Sequence, residues 1–161
     1  MKHIVKIIIV CAVFFYAGCS IQEPIKQSTA YLISIKTPQM AFSDTGFINE
    51  ADTYTNLQIF NAGTLVLKIE IVDDTICLDG TCLAKEDFNK RFFGATYYAD
   101  LMENIVHQKP LFEGRDYLKT TDGFSQQIRL PYASIDYRVE KGSVYFKERE
   151  HGVMIRLRPL P

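Results

Sequence analysis

Apolar and polar residues alternate along most of this chain with the two-residue period of half-buried β-strands. Residues 31–36 set Tyr31, Ile33 and Ile35 against Leu32, Ser34 and Lys36, and Pro38 ends the run. Residues 54–60 form a second strand. Asn61, Ala62 and Gly63 follow, residue types that tolerate positive φ. Residues 64–72 then place Leu65, Leu67, Ile69 and Ile71 on one face and Lys68 and Glu70 on the other, so the two segments predict a hairpin. Residues 42–47 carry a weaker pattern, in which Asp44-Thr45-Gly46 reads as a turn. Asp73-Asp74 marks another reversal. Adjacent carboxylates on a turn point apart, which favours a solvated turn over a metal or acid–base pair.

The segment Ile76-Cys77-Leu78-Asp79-Gly80-Thr81-Cys82-Leu83 has Asp-Gly at its centre, a strong signal for a two-residue hairpin turn. With that turn, Cys77 faces Cys82 in a non-hydrogen-bonded pair, where Cα atoms approach to about 4.5 Å, within reach of a disulfide. A structural disulfide is expected. A redox dithiol would more often use Cys-x-x-Cys at a helix start, and a metal site would need further ligands.

The period then changes. Residues 85–93 carry Phe88, Phe92 and Phe93 at helical spacing, with Gly94 placed as a stop. Residues 97–107 carry a stripe of Tyr97, Leu101 and Ile105 beside Tyr98, Met102 and Val106, with Thr96 as a cap and Lys109-Pro110 as the end. These two helices need an apolar surface to cover, and the sheet supplies one. Residues 111–124 read as a long connection. The end of the chain reads as a meander: residues 126–130, 133–140, 143–149 and 153–158. A Lys141-Gly142 turn puts Val139 against Val144, Tyr137 against Phe146 and Asp136 against Lys147, an opposite-charge pair. A four-residue turn, 149–152, sets Tyr145 against Arg156 and avoids facing Lys147 with Arg156. The fold class predicted is α+β: a twisted antiparallel sheet, as a half-barrel, with two helices inserted between an early and a late set of strands.

The first residues differ from all of this. Lys2, His3 and Lys6 precede an unbroken apolar run over residues 7–17. Eleven helical residues span about 16 Å, roughly half a hydrocarbon core, so the run reads as a secretory leader and not as a membrane span. It closes on Tyr16-Ala17-Gly18-Cys19. This stretch resembles the lipobox of bacterial lipoprotein precursors, although Tyr16 stands where Leu is usual. The resemblance covers about the first 20 residues. It implies cleavage between Gly18 and Cys19, acylation of Cys19, and a mature protein held to the membrane by its lipid. Ser20 after the cysteine, in place of Asp, implies an outer-membrane destination facing the periplasm. The expected organisation is a leader over 1–18, a polar lipidated tether over 19–29 containing Pro24, and one α+β domain over 30–161. The order strands–helices–strands behind a lipobox is also similar to the carrier and receptor proteins that move lipoproteins to the outer membrane. Those bind acyl chains between a curved sheet and inserted helices. The likeness is architectural and assigns no residue a role.

Charge narrows the function. The chain has 161 residues and a formal net charge of −1. Without Lys2 and Lys6, sixteen basic residues remain against nineteen acidic ones, which is not the balance of a nucleic-acid binder. The outer positions of the final meander are basic nonetheless: Arg138, Lys147, Arg149, Arg156 and Arg158, with Tyr145 among them. Such a face either is an ordinary solvated surface or meets an anionic partner, such as lipid headgroups or an acidic protein. No Gly-x-Ser-x-Gly, His-Glu-x-x-His or Gly-rich phosphate loop occurs. No cofactor or metal is expected. The leading expectation is a non-enzymatic envelope lipoprotein with a binding or assembly role and an envelope protein or lipid as partner. The alternatives are an acyl-chain or lipoprotein carrier, which needs a deep apolar cleft between sheet and helices, and an envelope hydrolase, which needs a nucleophile and a base converging in one pocket.

Overall fold

The computed structural model describes residues 24–161; the expected leader, Gly18 and the lipidation site Cys19 lie outside them. The described chain forms one antiparallel sheet of eleven strands with two helices. The first six strands, β1 (Gln27–Lys36), β2 (Ala41–Glu50), β3 (Tyr54–Asn61), β4 (Thr64–Val72), β5 (Thr75–Leu78) and β6 (Thr81–Ala84), make an up-and-down meander. Helices α1 (Lys85–Phe93) and α2 (Leu101–Val106) follow. The last five strands, β7 (Tyr117–Lys119), β8 (Gly123–Leu130), β9 (Ala133–Glu140), β10 (Ser143–Glu148) and β11 (Val153–Pro159), make a second meander. The strand order is β6-β5-β4-β3-β2-β1-β11-β10-β9-β8-β7, so β1 joins the two meanders by pairing with β11. The sheet is not closed, and its two edges are the short strands β6 and β7.

The turn chemistry follows the residues that allow it. Ala62-Gly63, Asp79-Gly80 and Lys141-Gly142 have positive φ at both positions, the requirement of the hairpin turn that matches strand twist. Registers follow: Val139 faces Val144, Tyr137 faces Phe146, and Tyr145 faces Arg156 across the 149–152 turn. Cys77 faces Cys82 and the two form a disulfide, with Cα atoms 3.9 Å apart. Helix α1 stops at Gly94, whose φ of 79° is left-handed and whose N–H caps Lys90 O.

Alternation puts one face of the central strands against the helices. Ile33, Ile59, Ile76, Ile128, Phe146, Val153 and Leu157 are completely buried there, and Phe93, Leu101 and Ile105 meet them from the helices. Five expectations change. Residues 44–46 are not a turn: β2 runs straight through them. Gly46 is there because a Cβ would lie 2.0 Å from Gln58 O of β3 and 2.7 Å from the Ile33 side chain, so glycine marks a close approach and not a reversal. Leu65 does not face the core. The pairing of β3 and β4 shifts between Ile59 and Phe60, and Leu65 is 44% exposed. Helix α2 begins only at Leu101, because Tyr97 and Tyr98 precede it in a non-helical segment, and Asp100 stands at its N-cap. The 111–124 connection contains a short 3₁₀ turn (Phe112–Gly114) and β7, and β1 takes in residues 27–29 of the expected tether.

Candidate functional site

The basic face lies on the side of the sheet away from the helices. Its position follows from parity: Val139, Val144, Phe146, Ile155 and Leu157 are buried, so the residues between them point outward. Arg138, Tyr145 and Arg156 are consecutive across β9, β10 and β11. The Arg156 guanidinium carbon sits 5.2 Å from the centre of the Tyr145 ring, a cation–π distance. Arg138, Glu140, Ser143, Tyr145, Arg156 and Arg158 line a shallow groove of about 220 Å³. Lys147 is in the next rung, opposite Asp136. Arg149 is drawn away. It lies in the 149–152 turn, and its Nε donates to Asp136 Oδ2 at 2.9 Å while Nη2 donates to the same oxygen. Among the described residues, Arg138, Lys147, Arg156 and Arg158 form no ion pair. Glu140 in the groove and Asp136 opposite Lys147 offset only part of this charge, so the face is net positive on a chain that is negative as a whole.

A second polar site sits where α2 ends against the sheet. His107, at the C-terminus of α2, meets Thr55 of β3 with Nε2 2.9 Å from Oγ1. Glu50 Oε1 is 3.6 Å from the same nitrogen, and Glu103 Oε1 is 3.8 Å from Nδ1. Lys85, buried at the start of α1, donates to Glu103 at 2.6 Å and Asp100 at 3.1 Å. Burial lowers the pKa of His107, with Glu50 and Glu103 opposing. Burial also works against the Lys85 ammonium, but its hydrogen bonds to Glu103 and Asp100 outweigh that and hold its pKa above the ordinary lysine value. Thr55, Lys85, Glu103 and His107 share a cavity of about 470 Å³ with Glu50, Asp52, Tyr54 and Asp73.

Hydroxyl, imidazole and carboxylate occur here in the order of a hydrolytic triad. The geometry does not complete one. Glu103 is beyond hydrogen-bond distance from Nδ1, and its other oxygen is committed to Lys85. Thr55 is itself 5% exposed. The cluster acts as a fastening: it ties both helices to each other and α2 to β3. Asn89 adds to this by donating to the carbonyls of Tyr98 and Ala99. Glu148 and His151 form another close pair, 3.2 Å apart. The fully buried Glu148 carboxylate also accepts the N–H groups of Glu150 and His151, which closes the 149–152 turn.

Between the helices and the sheet the space is filled by side chains. Phe93 packs edge-to-face on Tyr97 and Phe146, with ring centres 5.7 and 5.5 Å away. A cavity of about 260 Å³ occurs at the rim, its apolar wall made by Met40, Leu78, Leu83, Phe88 and Phe92 and its polar border by Thr37, Gln39, Asp79, Thr81 and Arg91. Among the described residues no helix is long and apolar enough to cross a membrane, and no group of three or more His, Cys, Asp or Glu is placed to hold a metal ion.

The alternation pattern located the basic face, with Arg149 the exception. It missed the polar cluster. Glu103 and His107 are four apart on a helix and visible as a pair, but Thr55 and Glu50 come from strands more than fifty residues earlier. A scan against protein families finds no match for this chain, and a search of curated proteins finds none either.

Proposed function

We propose that this protein is a lipid-anchored lipoprotein of the bacterial cell envelope, non-enzymatic, acting through a binding surface and facing the periplasm from the outer membrane. The reading begins with Ala17-Gly18-Cys19 behind a basic and then apolar leader. The Cys77–Cys82 disulfide supports it, since such bonds persist in oxidising compartments. The observation that carries the binding role is the groove of Arg138, Tyr145, Arg156 and Arg158, where three arginines outnumber the one carboxylate, Glu140, on a sheet whose other face is filled. The sheet serves as a half-barrel. Leu78 of β5 lines one cavity with Phe92 of helix α1, and Phe146 of β10 packs on Phe93 of the same helix. Those strands are six places apart, about 29 Å on a flat sheet, whereas nine helical residues span about 13 Å.

Labelling cells with radioactive palmitate and fractionating their membranes tests the anchor. The protein should take up label and partition with the outer membrane, and Cys19→Ala should lose both. Label in the Cys19→Ala protein, or none in the native one, refutes the anchor. An acyl-chain carrier is the second reading, favoured by the apolar wall of the rim cavity between α1 and the β5–β6 hairpin. It ranks second because the centre beneath the helices is packed. Lipid recovered in stoichiometric amount with the purified protein would reverse that ranking.

A further inference from the structure

We infer that the outer face of the central strands docks on an anionic phospholipid surface, so that the protein lies against its membrane and does not hang from it. The inference rests on the anchored reading above for the height of the domain over the bilayer. Two observations point to lipid. The first is composition. Arg156 and Arg158 alternate with buried Ile155 and Leu157 on β11, and Leu160, two residues on, is 41% exposed. Its N–H bonds Ala30 of β1, and Ala30 in turn faces Phe47 of β2, which is 42% exposed and stacked edge-to-face on Phe60. Phe47 lies two strands across and two residues along from Arg158, about 12 Å. Cations in excess of the one carboxylate among them, Glu140, beside exposed aromatic and aliphatic side chains match an interface where phosphate headgroups meet acyl chains.

The second is the tether. Seven residues separate Cys19 from Gln27, where β1 begins. Fully extended, that connection reaches about 25 Å. Gln27 starts the strand at the end where Arg158, Leu160 and Phe47 lie, because Tyr31 pairs with Pro159 and Ala30 with Phe47. A lipid on Cys19 would therefore hold this end of the sheet at high effective concentration over the bilayer. Each cation brought near an anionic surface multiplies association about fivefold. Arg138, Arg156 and Arg158, less the opposing Glu140 in the same groove, bias docking about 25-fold toward anionic over neutral lipid by the same rule.

The test uses the lipidated full-length mature protein on vesicles of phosphatidylcholine alone or with phosphatidylglycerol, with phenylglyoxal modification of arginines read by mass spectrometry. Flotation with the neutral vesicles reports the anchor by itself. On the anionic vesicles Arg138, Arg156 and Arg158 should become several-fold less reactive, while Arg91 and Arg115, exposed away from this face, should not change. In Arg156→Gln/Arg158→Gln, Arg138 should react equally on both vesicles. Equal reactivity of all three arginines of the native protein on both vesicles, with flotation intact, overturns the docking inference and leaves the anchor standing. Protection in native envelopes but not on anionic vesicles assigns the face to an acidic protein and overturns it too. Failure to float on neutral vesicles refutes the anchor instead.

Discussion

Replacing Phe93 by alanine tests whether the helices are part of the core or a lid over it. Phe93 has no exposed surface. Its ring contacts Phe92, Tyr97 and Phe146, with centres 5.0, 5.7 and 5.5 Å away. Removing a buried phenyl ring from a site that cannot collapse costs about 3–5 kcal/mol, and the lost edge-to-face contacts place this site in the upper half of that range. A domain of this size has about 5–15 kcal/mol in total, so Phe93→Ala should fold but be much weaker. With a urea slope of about 2 kcal/mol per molar, the midpoint should fall by about 2 M. Arg91→Ala, on the exposed side of the same helix, should stay within about 0.5 kcal/mol. Equilibrium urea denaturation followed by far-ultraviolet circular dichroism measures both. A loss below about 1 kcal/mol for Phe93→Ala would mean that the helix lifts away from the sheet at little cost. That result would contradict a filled interior and restore the carrier reading.

Three further outcomes follow from the described contacts. Cys77→Ser/Cys82→Ser opens a loop with a sequence separation of five, and the chain-entropy relation gives a loss of about 2 kcal/mol; an unchanged denaturation midpoint would show that the β5–β6 ladder suffices without the bond. Lys85→Met should cost about 3 kcal/mol in the same assay, because it leaves Glu103 without its cation in a largely buried place; a neutral result would mean that water already solvates that carboxylate. Stability should fall as pH drops below about 6.5, since burial depresses the folded-state pKa of His107 below its unfolded value and the unfolded chain then binds the extra proton. His107→Gln should remove that part of the slope, and an identical pH profile in the variant would assign the slope to other groups.

Local chemistry made much of this fold legible. Lys141-Gly142 and Asp79-Gly80 each demand a two-residue turn, and the turn dictates every cross-strand pair beyond it. The basic groove and the disulfide came from that register. Where one residue type has two uses, the reading went wrong. Gly46 marks a close backbone approach inside a strand, not a turn. The apolar stripe that includes Tyr97 and Tyr98 continues into a segment that packs without being helical, because aromatic side chains can fill a core from either conformation. Long-range closure left no local mark. Nothing in residues 27–36 names β11 as their partner, and the convergence of Thr55, Glu50 and His107 exists only after α2 is laid across β3.

The fate of the thiol at position 19 decides whether this protein is anchored. Trypsin should release residues 19–26 as the first peptide of the membrane-extracted protein, and its mass should include a thioether-linked diacylglycerol on Cys19. An unmodified peptide that reads from upstream of Gly18 into Cys19, or a first residue elsewhere in the chain, would contradict the anchored lipoprotein.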